Sequence, residues 1–166
     1  MNNIVVFGCD NSGKSTLCQQ LAERLNEDAD FTSDFMHTPG PVSLEEMKKY
    51  MEDNLVPKGS RHTRVFDRFP ILEESIYGPL LRGESKFKDH EYNKKLLDKV
   101  DLFIYCYPGL FTILNWGERE QYPGVKDNAL EIINRYNKLA FGLRKAGYKV
   151  KEYNYKVDDY RRLLDD

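Results

Sequence analysis

Apolar residues come in two alternating rhythms along the chain. Ile4, Val5, Val6 and Phe7 stand together without a polar break, the pattern of a short strand buried on both faces. Leu17, Leu21 and Leu25 then recur at helical spacing, with Cys18 and Ala22 beside them and charged or amide side chains between, which predicts a helix. Residues Phe31 to His37 predict a second strand. "TPGP" then makes a turn, and Ser43 caps a helix that runs through Met47 and Met51. "RHTRVFDRF" predicts a third strand that ends on a charged pair. A helix from about Ile71 to Leu81 follows it, and then a polar helix whose apolar side is Tyr92, Leu96 and Leu97. "DLFIYCY" is the clearest later strand, "YPGVKDNALEIINRYNKLAFGLRKAG" a long helix closed by Gly147, "YKVKEYNY" the last strand, and a short helix ends the chain. This alternation predicts an α/β fold of three layers, a mostly parallel five-stranded sheet between helices, with ligands outside the carboxyl ends of the strands.

The length of 166 residues suits one domain, residues 1–166, with a sizeable core. An apolar fraction of 40%, a charged fraction of 31% and a formal net charge of −2 describe an ordinary globular chain and argue against a strongly basic nucleic-acid binder. No basic-then-apolar leader precedes the first strand, and no apolar run approaches the ~18 residues of a membrane span, so the cytoplasm is the expected address, with no membrane partner. Of the three cysteines, Cys18 and Cys106 read as core thiols and Cys9 as a small filler in a loop; their spacing is not that of metal ligands.

The loop between the first strand and the first helix reads "GCDNSGKST", and Gly8 to Ser15 fits G-x-x-x-x-G-K-[ST] in the strand-to-helix context that gives this pattern meaning. Glycines at 8 and 13 let successive N–H groups point into one concavity, and the helix behind adds the positive end of its dipole. Gly8, Asn11, Ser12, Gly13, Lys14, Ser15 and Thr16 are therefore candidates to bind a nucleoside triphosphate. Lys14 is expected on its β- and γ-phosphates and Ser15 on Mg²⁺. In "RVFDRF" the strand runs into Asp67 and Arg68 at the rim, where side chains reach a phosphate held by the first loop. An Asp there holds Mg²⁺ through water or receives the acceptor's proton, and an Arg grips an acceptor phosphate with a planar fork of donors.

"GCDNSGKST" and "DRF" resemble the P-loop nucleoside monophosphate kinases, and among them the thymidylate kinases, with "HTPG" at residues 37–40 as a weaker match. "ESIYGPLLRG" after the Asp-Arg pair is similar to the short phage-encoded members. The resemblance implies the P-loop kinase fold with a mobile lid, and transfer of a phosphoryl group from ATP, with Mg²⁺, to a pyrimidine deoxynucleoside monophosphate. By position it places Asp10 near the acceptor sugar, Asp67 near the metal and phosphates, Arg68 on the acceptor phosphate, and His37 and Pro39 beside the acceptor. Phe7 stands where many members have Glu, and His37-Thr38 replace Arg-Glu, which leaves room for dTMP, a modified pyrimidine or another deoxynucleotide. The resembling kinases often pair, so a homodimer is among the partners it implies.

"NWGEREQYPGV", polar and glycine-bearing, falls where this class places its lid, about residues 115–125, and Arg119 is its one Arg, expected to close on the moving phosphoryl group. Arg82, Arg135 or Arg144 are candidates to assist, Arg82 on the substrate side. Phe69 and Tyr77 flank the Asp-Arg rim, and each could equally stack on a nucleobase or pack in the core. Two other readings share the loop. A kinase of a hydroxymethylated base or an end in DNA needs a basic groove, for which "PKGSRHTR" at residues 57–64 is the candidate. A guanine-nucleotide switch is disfavoured, since "NKLA" at residues 137–140 lacks the Asp of the guanine-reading motif.

Overall fold

A computed structural model describes residues 1–25, 27–32, 42–115 and 128–165, with no side-chain description at 114 and 115. The order of elements is β1 (Asn3–Phe7), α1 (Lys14–Leu25), β2 (Ala29–Thr32), α2 (Leu44–Asn54), β3 (Thr63–Asp67), α3 (Pro70–Arg82), α4 (His90–Leu97), β4 (Leu102–Cys106), α5 (Leu110–Asn115), α6 (Ala129–Lys145) and β5 (Val150–Tyr153), with a 3₁₀ turn at Tyr160–Leu164. The five strands form one sheet in the order β2-β3-β1-β4-β5, and every neighbouring pair is parallel.

The unbroken apolar run of residues 4–7 places β1 at the centre, where each of its residues is buried. Side chains alternate across a strand, and the two faces of β1 feed two cores. Ile4 and Val6 pack with Val65, Leu102, Ile104, Cys106 and the α1 residues Leu17, Cys18 and Leu21. Val5 and Phe7 pack with Phe66, Phe103, Tyr105 and residues of α2, α3 and α6, among them Met47, Leu72 and Tyr136. The register sets Val6 beside Asp67 on one side and Phe7 beside Tyr105 on the other. Strand order reverses direction at β1, so its carboxyl end opens into the crevice where α/β sheets bind ligands.

The expected strands and helices are present, with shifts at their ends. Ser43 caps α2 with its side chain accepting from the Glu46 N–H, as expected. The second strand begins earlier than Phe31, at Ala29, because its residues pair with the buried Thr63–Phe66 segment of β3 and partner burial outweighs its own polar pattern. Residues 33–41, which carry the rest of that strand and the turn, lie outside the described residues. The long helix begins at Ala129, and α5 was not foreseen; six residues are too few to show a helical period. Among the described residues no helix is long and apolar enough to cross a membrane.

Candidate active site

The chain leaves β1 into a turn that only glycine permits. Gly8 has φ of 146°, and a Cβ there would lie 2.5 Å from the Cys106 carbonyl oxygen of the neighbouring strand. Asn11 and Gly13 take left-handed conformations with φ of 63° and 88°, which Asn tolerates better than most residues because its side chain bonds locally. The loop therefore curls before α1 begins at Lys14. Lys14 Nζ donates to the Cys9 carbonyl at 2.6 Å and lies 3.4 Å from Ser12 Oγ, so the ammonium spans the loop. A cavity of about 440 Å³ opens over this loop, lined by residues 11–16 with Gln20, Tyr153 and Tyr155. A glycine-bearing loop, the N-terminus of α1 and Lys14 share this concavity, an arrangement able to hold an anion. The Tyr155 ring lies against Gly13, where a Cβ would meet Tyr155 Cδ1 at 3.0 Å.

Beside the loop, β3 ends on Asp67. Ser15 Oγ donates to Asp67 Oδ2 at 2.7 Å. Asp67 Oδ1 is buried and has no hydrogen-bond partner among the described residues. A buried carboxylate oxygen left unmatched costs about 1–3 kcal/mol, and a hydrated cation beside the Ser15 hydroxyl would relieve it. Mg²⁺ takes one or two carboxylates and keeps its waters and phosphate oxygens as the other ligands, so these residues fit it.

Arg68 follows in a left-handed conformation, φ 72°, rare for a residue with a side chain. Strain of this kind costs on the order of 1–3 kcal/mol and persists only where the surroundings over-determine it. Here they do. The Arg68 N–H donates to the Val6 carbonyl at 2.9 Å, which extends the β1–β3 pairing past the strand. The buried guanidinium donates through Nη2 to Asp10 Oδ1 and through Nη1 to Glu73 Oε2, the latter at 3.1 Å. Glu73 is wholly buried in the first turn of α3, and the Tyr136 hydroxyl of α6 donates to the same Oε2 at 2.7 Å.

The tertiary structure thus brings Asp10, Lys14, Ser15, Asp67 and Arg68 to the carboxyl ends of β1 and β3. For Phe69 and Tyr77, where stacking on a base and core packing were both open, the structure shows core packing. Both are buried, Phe69 edge-on to Phe66 and Tyr77 edge-on to Tyr136, because α3 turns its apolar side into the core. Arg82 ends α3, about 18 Å along the helix from its start, where it pairs with the buried Glu74. Arg135 and Arg144 pair with the acids Glu131 and Glu152. Arg119, His37 and Pro39, and the lid beyond Asn115, lie outside the described residues. Phe7, at the position of the resemblance's Glu, stacks on Tyr105 with 5.2 Å between ring centroids.

The basic run at 57–64 lies at the opposite end of the sheet. Arg64 pairs across from Asn3 at the start of β1 and is held by Asp30 at 2.9 and 3.0 Å. That hydrogen bonding keeps the Asp30 carboxyl below its usual range. All three cysteines are buried, and burial pushes the Cys9 thiol up to about 11 and Cys106 up to about 12. Sequence reasoning missed Glu73, Tyr136 and Tyr155. The signal for Glu73 was present: two adjacent acids, Glu73 and Glu74, in a helix otherwise apolar for most of its length.

At the level of sequence, no family model and no curated protein matches the chain. Solved structures do. The YorR protein of Bacillus subtilis, solved in complex with phosphorylated GDP, is 18% identical with a TM-score of 0.64, over 96% of this chain and 90% of that one. The three-layer α/β fold is one that solved kinases of nucleosides and nucleotides share. Deoxyadenosine kinase from M. mycoides with bound dCTP shares it at 13% identity and a TM-score of 0.57, covering 97% of this chain and 94% of that one. Thymidylate kinase from Ehrlichia chaffeensis does so at 17% identity and 0.52, covering 98% and 94%. The Gly8–Ser15 loop and the Asp67–Arg68 rim stand on a nucleoside monophosphate kinase-like fold.

Proposed function

We propose that the chain is a kinase that moves the γ-phosphoryl group of ATP, with Mg²⁺, to a pyrimidine deoxynucleoside monophosphate, dTMP or a modified analogue, giving the diphosphate. The observation that carries this reading is the contact of Asp10, inside the Gly8–Ser15 loop, with Arg68 at the rim: it joins the loop to a fork of donors at the carboxyl ends of the central strands. In this reading the triphosphate lies in the cavity over the loop. The loop N–H groups and Lys14 bind its phosphates, and Ser15 and Asp67 would hold the metal, which when bound would supply charge neutralisation. Arg68 binds the acceptor phosphate and Asp10 orients the acceptor sugar. An oxygen of the acceptor phosphate attacks the γ-phosphorus in line, ADP leaves, and Arg119 from the lid steadies the charge that spreads over the moving group. His37 and Pro39 border the acceptor base.

The pyrimidine preference rests on the likeness of the "GCDNSGKST" loop and the "DRF" rim to thymidylate kinases. A DNA acceptor is less well supported, since the basic run that would grip a strand sits at the amino ends of β1 and β3, away from the loop. A coupled assay across a panel of nucleoside monophosphates, with ATP and Mg²⁺, tests the reading. Turnover of a pyrimidine deoxynucleoside monophosphate is expected; turnover of none of the panel, in protein that still binds ATP, overturns it.

A further inference from the structure

The rim arginine is held from two sides, and one of them leads away from the phosphate loop. Asp10 takes one arm of its fork, and Glu73 takes the other at 3.1 Å. Glu73 accepts a second hydrogen bond on the same oxygen, from Tyr136 at 2.7 Å. Tyr136 lies in the middle of α6, the helix that follows the expected lid segment, and its ring packs near those of Phe7 and Tyr77. Burial in the first place, and the Glu73 charge in the second, push the Tyr136 hydroxyl well above its ordinary range, so it stays a donor throughout the physiological window.

We propose that Glu73 and Tyr136 are positioning residues: together they preset the Arg68 fork for the acceptor phosphate and couple helix α6 to acceptor binding. The inference rests on the proposed function for its consequence, since the acceptor phosphate is what Arg68 is held for. A carboxylate oxygen fixed by a tyrosine on one side can offer the guanidinium one direction only. Without that hold the Glu73 arm of the fork loses its fixed direction while Asp10 keeps the other, and the acceptor must order the freed arm as it binds. Ordering a rotamer-rich side chain at the moment of binding weakens affinity roughly two- to tenfold. The ATP site draws on Lys14, Ser15 and the loop N–H groups, none of which touches Glu73 among the contacts described.

Tyr136→Phe removes the hydroxyl and keeps the ring that fills the core. It should raise the acceptor KM roughly two- to tenfold, leave the ATP KM and kcat within about twofold, and broaden or shift the ¹⁵N–¹H guanidinium signal of Arg68. In an Arg68→Lys background, which keeps the buried positive charge and lacks the planar fork, the same substitution should leave the acceptor KM unchanged. A lowered melting temperature with an unchanged acceptor KM and an unchanged Arg68 signal would reduce the pair to a structural role and overturn the inference. So would an equal KM effect in the Arg68→Lys background, because Tyr136 would then act by another route. If the wild-type protein turns over no monophosphate, the proposed function has failed. The Arg68 signal then decides alone: a signal changed by Tyr136→Phe upholds the hold on the fork, and an unchanged one overturns it.

Discussion

Arg68→Ala should damage stability as well as activity, and by an amount the surroundings of the side chain set. The guanidinium is buried between Asp10 and Glu73, each buried too. Removing it strands two acids without the cation that faces them. Breaking a buried ion pair in this way costs about 3–5 kcal/mol, well above the cost of a lost surface pair, which is about 0–1 kcal/mol. For a chain of 166 residues, that loss lowers the melting temperature by roughly 6–20 °C, at about 2–4 °C per kcal/mol. Relief of the left-handed backbone at position 68 does not compensate, since Ala prefers that conformation no more than Arg does. Thermal unfolding followed by circular dichroism reads the effect, and titration of the acceptor and of ATP into the folded variant at low temperature reads the functional part. Acceptor binding should fall about ten- to a hundredfold, the loss of a charge-assisted hydrogen bond, with ATP binding nearly constant. Adding Glu73→Gln to Arg68→Ala removes one stranded charge and should recover part of the stability. A melting temperature within about 2 °C of wild type would refute the reasoning, because the guanidinium could not then be the counter-charge of a buried cluster. Loss of ATP binding with acceptor binding intact would reverse the assignment of the two sites.

Lys14→Ala should lower kcat at least ~10²-fold, as loss of a donor aimed at transferring charge does, while the circular dichroism spectrum stays that of the wild type. Gly13→Ala forces a Cβ into a left-handed position and to 3.0 Å from the Tyr155 ring. It should cost about 1–2 kcal/mol of stability and raise the ATP KM, read by thermal unfolding and steady-state kinetics. Cys9, raised by burial from its ordinary 9.0 to about 11, should resist iodoacetamide at pH 8 and react as the pH approaches its folded value. Its folded value is the higher one, so the stability it contributes is complete below pH 9 and is lost as the pH rises through about 11. Mass spectrometry across a pH series checks this, and rapid labelling of Cys9 at pH 8 in the folded protein would contradict it.

What the sequence determined by itself are the features whose cause is local. The all-apolar run at 4–7 reads as a buried strand and forms the central one, and the Gly8–Ser15 spacing between that strand and a helix predicts a tightly curled loop because backbone conformation follows from residues next to one another. Ser43 capping α2 is legible for the same reason. Tertiary structure alone decided how residues far apart in the chain meet. Asp10 and Arg68 are 58 positions apart and Glu73 and Tyr136 are 63, and no periodicity encodes either contact. For Phe69 and Tyr77 the sequence leaves base stacking and core packing both open, because it marks a residue as aromatic but not which way its ring turns; the fold buries both. The acid Glu73 was visible as a letter in "PILEES"; its burial against an arginine and a tyrosine exists only once β3, α3 and α6 pack together, since the cost of burying its charge is met by partners that the fold supplies.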